Sequence, residues 1–167
     1  MTQTRKKRLL WTLCLLALAL FAAAMVWLHY QQLCATGRGE DPYTSDLGQH
    51  LYFAQHGMVY SATSLLIGPA YALGGKLGIS LLLGVFHLAA VAVFAWGLKA
   101  AVPAWCLPAR LLASLIVNLA QAVYIPRGGY WYQGTITGTI YHNTTYIMLA
   151  PFALLAVLWF YRAWQGI

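Results

Sequence analysis

Apolar positions in this chain come in runs too long for strands, separated by polar stretches. The first run covers about residues 9–29 with almost no polar break. At about 1.5 Å per residue, such a run spans a hydrocarbon core of about 30 Å. Trp27, His29 and Tyr30 fall at its far end, where amphipathic rings suit a membrane interface. The basic start and Ala22-Ala23-Ala24 also fit a signal peptide. Cleavable cores are usually about 7–15 residues, so an uncleaved anchor is predicted. Three further runs cover about 77–98, 111–125 and 144–164, the last with Pro151 inside it as an expected kink.

Two polar stretches, about 30–61 and 126–143, separate these runs. In the first, Ser45 or Asp46 can cap a helix that runs to about His56 and stops at Gly57. Leu47, Leu51 and Ala54 share one face, alongside Phe53. That pattern predicts an amphipathic helix lying on the membrane surface. Residues 62–74 are apolar but too short to cross, contain Pro69 and end at Gly74-Gly75-Lys76. They read as a re-entrant or half helix, or as a short helix leading into the next span. The expected fold is an all-α polytopic helical membrane protein forming one membrane domain over residues 1–167. It has about four transmembrane helices plus short extracytoplasmic interfacial or re-entrant helices.

Composition agrees, with 61% hydrophobic and 8% charged residues. Soluble domains are about 45–50% apolar and about 25% charged. The net charge of +7 raises nucleic acid as a partner, but the basic residues form no stripe. Four of the ten sit at Arg5, Lys6, Lys7 and Arg8, a pattern that orients a membrane protein and excludes a nucleic-acid module. With four crossings and the N-terminus inside, Lys99, Arg110 and Arg162 join these four in the cytoplasm. Arg38, Lys76 and Arg127 lie outside. The expected location is the cell inner (plasma) membrane, multi-pass, with both polar loops on the extracytoplasmic face. Cys14, Cys34 and Cys106 have no metal-ligand spacing and predict no disulfide framework.

The acidic residues change the picture most. All three, Glu40, Asp41 and Asp46, lie within seven positions of one loop. A solvated loop is the plain reading; a divalent cation held by these three is the metal reading. Asp46 and His50 are four apart and share a helix face, which suits general-base work, metal binding or orientation of a substrate hydroxyl. Asp46, His50 and the rival carboxylate Asp41 are therefore the catalytic candidates. In the second loop, Tyr141, His142 and Asn143 bring polar groups to the mouth of the last run. Trp131 and Tyr141 suit stacking on sugar rings or an aromatic belt equally well. Arg127 could hold a phosphate or pair with Glu40 or Asp41. His87 and Asn118, inside apolar runs, are expected to hydrogen-bond between helices.

Two segments carry a resemblance. Ser45-Asp46-Leu47-Gly48-Gln49-His50-Leu51-Tyr52-Phe53-Ala54 resembles the Asp-x-x-x-His segment of bacterial multispanning proteins of the GT-C glycosyltransferase class. His142-Asn143-Thr144-Thr145 followed by Pro151-Phe152 is similar to their His-Asn-Pro-Thr and Pro-Phe stretch, with Thr144 in place of Pro. The class uses polyprenyl-phosphate-linked sugars. The resemblance implies a membrane glycosyltransferase module whose partners are membrane lipid and a lipid-linked sugar. Asp46, with Asp41 as rival, takes the role of base or orienter for the acceptor, and Arg127 that of lipid-phosphate ligand. Four spans, against the eight or more usual in the class, imply an N-terminal fragment, a split subunit with a protein partner supplying further spans, or a relative that has lost catalysis. The rival readings are a non-catalytic subunit or scaffold on a larger partner, and a small transporter. A transporter would want ionisable groups at mid-membrane, where the spans supply only His87.

Overall fold

The computed structural model describes residues 3–36, 46–119, 122–125, 129–132 and 144–166, with side chains for all of these except the two strands. The helices are α1 (Gln3–Thr36), α2 (Leu47–Gln55), α3 (Ala62–Ala101), α4 (Leu107–Leu119) and α5 (Thr144–Trp164). The protein is an all-α membrane protein with one small β-hairpin among the described residues. In it β1 (Ala122–Ile125) pairs antiparallel with β2 (Gly129–Tyr132).

Three helices, α1, α3 and α5, are long and apolar enough to cross a membrane. Of the span expected over 111–125, the part up to Leu119 is helical and Ala122–Ile125 form β1. Its helical part, α4, has only 13 residues, about 20 Å at 1.5 Å per residue, short of the roughly 30 Å core. Ala122 to Ile125 are extended instead, since Val123, Tyr124 and Ile125 are β-branched or aromatic and the segment finds strand partners in Gly129 to Tyr132.

The apolar stretch 62–74 and the run 77–98 lie in α3, which breaks at Gly74 (φ −149°, ψ 16°) and Gly75 (φ 57°, ψ −140°). Gly75 has a backbone open mainly to glycine. The break is a fold-back: a Cβ at Gly78 would collide with the backbone carbonyl of Ala70. On a straight helix those residues would be about 12 Å apart along the axis. Ser61 starts α3 by accepting a hydrogen bond from the Ser64 N–H at 3.3 Å, and Gly57 (φ 64°) ends the turn after α2.

Between helices in lipid, close packing counts for more than exclusion from water. A Cβ at Gly84 would lie 2.7 Å from Val26, and one at Gly97 would lie 2.7 Å from Leu158, so both glycines let helices approach. Arg162 on α5 sits 4.4 Å over the Trp96 ring on α3. One buried cluster, Phe21, Met25, Val91 and Leu115, joins α1, α3 and α4. The other positions the site: Leu33, Leu47, Leu51, Ile67, Ile79, Leu83, Ile147 and Met148 seat the two-turn α2 on α1, α3 and α5.

Candidate functional site

Asp46 precedes α2, and its free first-turn N–H groups invite a carboxylate cap. The structure corrects that expectation, because the Asp46 side chain makes no cap bond to α2. It turns instead to the start of α5. There the Thr144 N–H donates to Asp46 Oδ1 at 2.7 Å and the Thr144 hydroxyl to the same oxygen at 2.8 Å. Thr144 is the first residue of α5, so the carboxylate also faces the positive end of that helix dipole. One carboxylate oxygen thus joins positions 98 residues apart in sequence.

The second oxygen, Oδ2, lies 3.5 Å from His50 Nε2, where the i, i+4 spacing places it. The His50 side chain is 5% exposed and that of Asp46 32% exposed, so the carboxylate-bearing side chain is not sealed from its surroundings. His50 Nδ1 is buried with no hydrogen-bond partner among the described residues. Burial pushes the Asp46 carboxyl up. The bonds from His50 and from the Thr144 N–H and hydroxyl outweigh it and hold the group below its ordinary value of 3.8.

Because folding lowers this carboxyl, its bonds stabilise the protein fully above the ordinary carboxylate range. That contribution disappears as pH falls through the folded value, below 3.8. Wild type should therefore melt above Asp46→Asn at neutral pH, and the gap should narrow on acidification below 3.8. Thermal melts of both proteins across that window check this; a gap independent of pH would show that the charge adds nothing to the bonds.

Of the other candidates, Glu40, Asp41, Arg127, Tyr141, His142 and Asn143 lie outside the described residues. Trp131 is described only as backbone in β2. Among the described residues no three His, Cys, Asp or Glu side chains gather as a metal site. Asp46 itself is built as a hydrogen-bond acceptor from Thr144.

Sequence reasoning missed Thr144 as a partner of Asp46. The available signal was a hydroxyl residue opening an apolar run, the usual composition of a helix start. It did not foresee that His29 is buried in the bundle, where His29 and Gln32 are each 1% exposed. His29 Nε2 meets His87 Nε2 at 3.0 Å across α1 and α3, and His29 Nδ1 meets Gln32 Oε1 at 3.0 Å. His87 therefore does bond between helices. Among the described residues Asn118 bonds within its own helix, its Nδ2 donating to Ser114 O. The cross-helix bond from α4 comes from Ser114, whose hydroxyl donates to Val91 O at 2.7 Å.

Fold and site together define a helical membrane protein with a carboxylate–imidazole pair anchored to the start of its last long helix. No protein-family model, curated protein or solved structure matches the chain.

Proposed function

We propose that this chain is a GT-C-like membrane glycosyltransferase module that binds a polyprenyl-linked sugar at the extracytoplasmic face of the inner membrane. One observation carries the reading: Asp46 is bonded directly to Thr144. These residues belong to the two segments on which the resemblance rests, and they meet through the carboxylate with the proposed chemical role.

In this reading Oδ1 fixes the carboxylate and Oδ2, on the partly exposed Asp46 side chain, accepts the acceptor's hydroxyl hydrogen. A carboxylate held low in pKa is a weak base, so Asp46 chiefly orients and polarises that hydroxyl. The acceptor oxygen bonds to the anomeric carbon. The polyprenyl phosphate leaves with the electron pair of the broken C–O bond, and the hydroxyl proton is lost toward the Asp46–His50 pair. Arg127 is the proposed ligand of the lipid phosphate, and Trp131, Tyr141, His142 and Asn143 of the sugar, with a further membrane subunit completing the site.

A second reading has one observation in its favour. Oδ1 accepts two bonds from Thr144, which is also how a purely structural clasp would spend it. Asp46 would then hold α2 to α5 in a non-catalytic scaffold that packs on a larger partner.

The direct test supplies the protein, in native membranes, with a radiolabelled polyprenyl-phosphate sugar. Membranes containing it should transfer label to an acceptor above the level of membranes lacking it. Equal labelling, together with no retention of the lipid-linked sugar by the purified protein, leaves the scaffold reading.

A further inference from the structure

At the end of the bundle away from Asp46, the charge has one sign. Arg5, Lys6, Lys7 and Arg8 open α1, Lys99 and Arg162 lie in the last turns of α3 and α5, and Arg110 lies in the first turn of α4. The described residues hold a single acid, Asp46, and it is bonded to Thr144 at the opposite end. No described carboxylate therefore neutralises this end.

Arg110 is the cation of this set that the fold holds in place. The adjacent Leu111 packs on the buried cluster that joins α1, α3 and α4, and Arg110 is itself half-buried. Of its three side-chain nitrogens only Nε is both sealed and without a hydrogen-bond partner among the described residues. The other two make no bond to those residues either, so they are the nitrogens open to an incoming group. Helix stability does not account for the placement, because a cation in the first turn faces the positive end of the helix dipole. A half-buried charge without a counter-charge is also costly. The site asks for an anion, and a guanidinium fork matches two oxygens of a phosphate side by side.

Position selects the source of that phosphate. Trp96, Trp105, Trp159 and Trp164 are exposed at this same end, as the aromatic girdle of a membrane–water interface is. α1 and α5 have the length and apolarity to cross a membrane. α3 has it even when counted only after its break, since Lys76 to Ala101 makes about 39 Å of helix against a core of about 30 Å. Arg110, a few residues beyond the end of α3, thus stands at the headgroup level of one leaflet. The unneutralised cations around it repel the choline or ethanolamine of a zwitterionic headgroup and favour a lipid of net negative charge.

We infer that the Arg110 guanidinium, in the first turn of α4, is a binding site for the phosphate of an anionic phospholipid. This inference does not depend on the transferase reading, whose site lies at the other end of the bundle. It separates two roles among the cations: Arg110 holds one headgroup, and the rest supply the field that gathers such lipids.

The experiment is native mass spectrometry of the full chain in mild detergent, with phosphatidylglycerol and phosphatidylcholine added in equal amounts. Wild type should carry one phosphatidylglycerol in preference to phosphatidylcholine. Arg110→Gln should lower that preference about tenfold or more, the scale of losing a charge-assisted bond, with helix content by circular dichroism unchanged. A double variant, Lys6→Gln with Lys7→Gln, removes two exposed cations of α1 and should keep the preference within about twofold, since exposed charges are screened. A wild-type preference retained by Arg110→Gln overturns the inference. So does an equal loss in Arg110→Gln and the double variant, which would mean a field without a site. Wild type without a preference refutes it too, and displacement of the lipid by millimolar inorganic phosphate would make the ligand a free anion instead. Should Arg110→Gln fail to fold, Arg110→Lys decides. It keeps the charge and loses the fork, so the preference should fall about threefold or more; an unchanged preference refutes the proposal.

Discussion

Asp46→Asn is expected to lower transfer of a lipid-linked sugar by about 10²-fold, the cost of losing the group that positions a reacting hydroxyl, while costing only about 1 kcal/mol of stability. The two effects separate because of where the carboxylate's bonds go. The Thr144 N–H and hydroxyl both donate to Oδ1, and an asparagine carbonyl oxygen can accept the same pair. What Asn removes is the charge and the acceptor at Oδ2, where His50 Nε2 sits at 3.5 Å. A charged bond becomes a neutral one, a difference of order 1 kcal/mol. Asp46→Ala is the contrasting variant. It strips the start of α5 of its acceptor, a change worth about 0.5–2 kcal/mol for a helix cap, so its activity loss would be mixed with unfolding. Asp41→Asn, in the rival carboxylate, belongs in the same assay. Full activity in Asp46→Asn with loss in Asp41→Asn reassigns the acid. If neither matters, the clasp is structural and the scaffold reading stands.

How much of this was legible in the chain depends on the range of the interaction. Long apolar runs announce membrane helices because lipid forces the backbone to satisfy itself locally. Gly57 and Gly74-Gly75 announce breaks because their conformations are local too. The Asp46–His50 contact was also readable, since i, i+4 neighbours follow from helix geometry. The Asp46–Thr144 bond was not: local logic gives a helix-start carboxylate its own N–H groups, and only tertiary packing brings α5 close enough to compete. The mixed structure of the 111–125 run was hidden for a related reason. Hydropathy does not distinguish a buried strand from a helix end over five residues, and the strand assignment rests on a partner segment further along the chain. The His29–His87 contact was hidden for the same reason: α1 continues to Thr36, and the partner stands on a helix 58 residues away in sequence.

That histidine pair supports the last prediction, a non-additive response to removing its two members. The rings are close to coplanar, 12° apart, with centroids separated by 5.3 Å and Nε2 atoms by 3.0 Å. Two imidazoles stacked face to face would have closer centroids; these meet tip to tip. One Nε2 donates and the other accepts. His29 Nδ1 faces the Gln32 carbonyl oxygen, so with that nitrogen as donor the accepting Nε2 is that of His29 and His87 donates. The chain's three acids stand at 40, 41 and 46, so no carboxylate on α1, α3, α4 or α5 offers an alternative partner. His87→Leu leaves a buried acceptor on His29 and His29→Leu leaves a buried donor on His87, each costing about 1–3 kcal/mol. Removing both orphans neither ring, so the double variant should cost less than the sum of the singles by about 1–2 kcal/mol. Unfolding of the four proteins in a mixed-micelle denaturant titration measures the cycle. Strict additivity would mean that the pair contributes no bond to the α1–α3 contact and that its members are held by packing alone, through the Phe21 edge against His87 and the close approach of Val26 to Gly84.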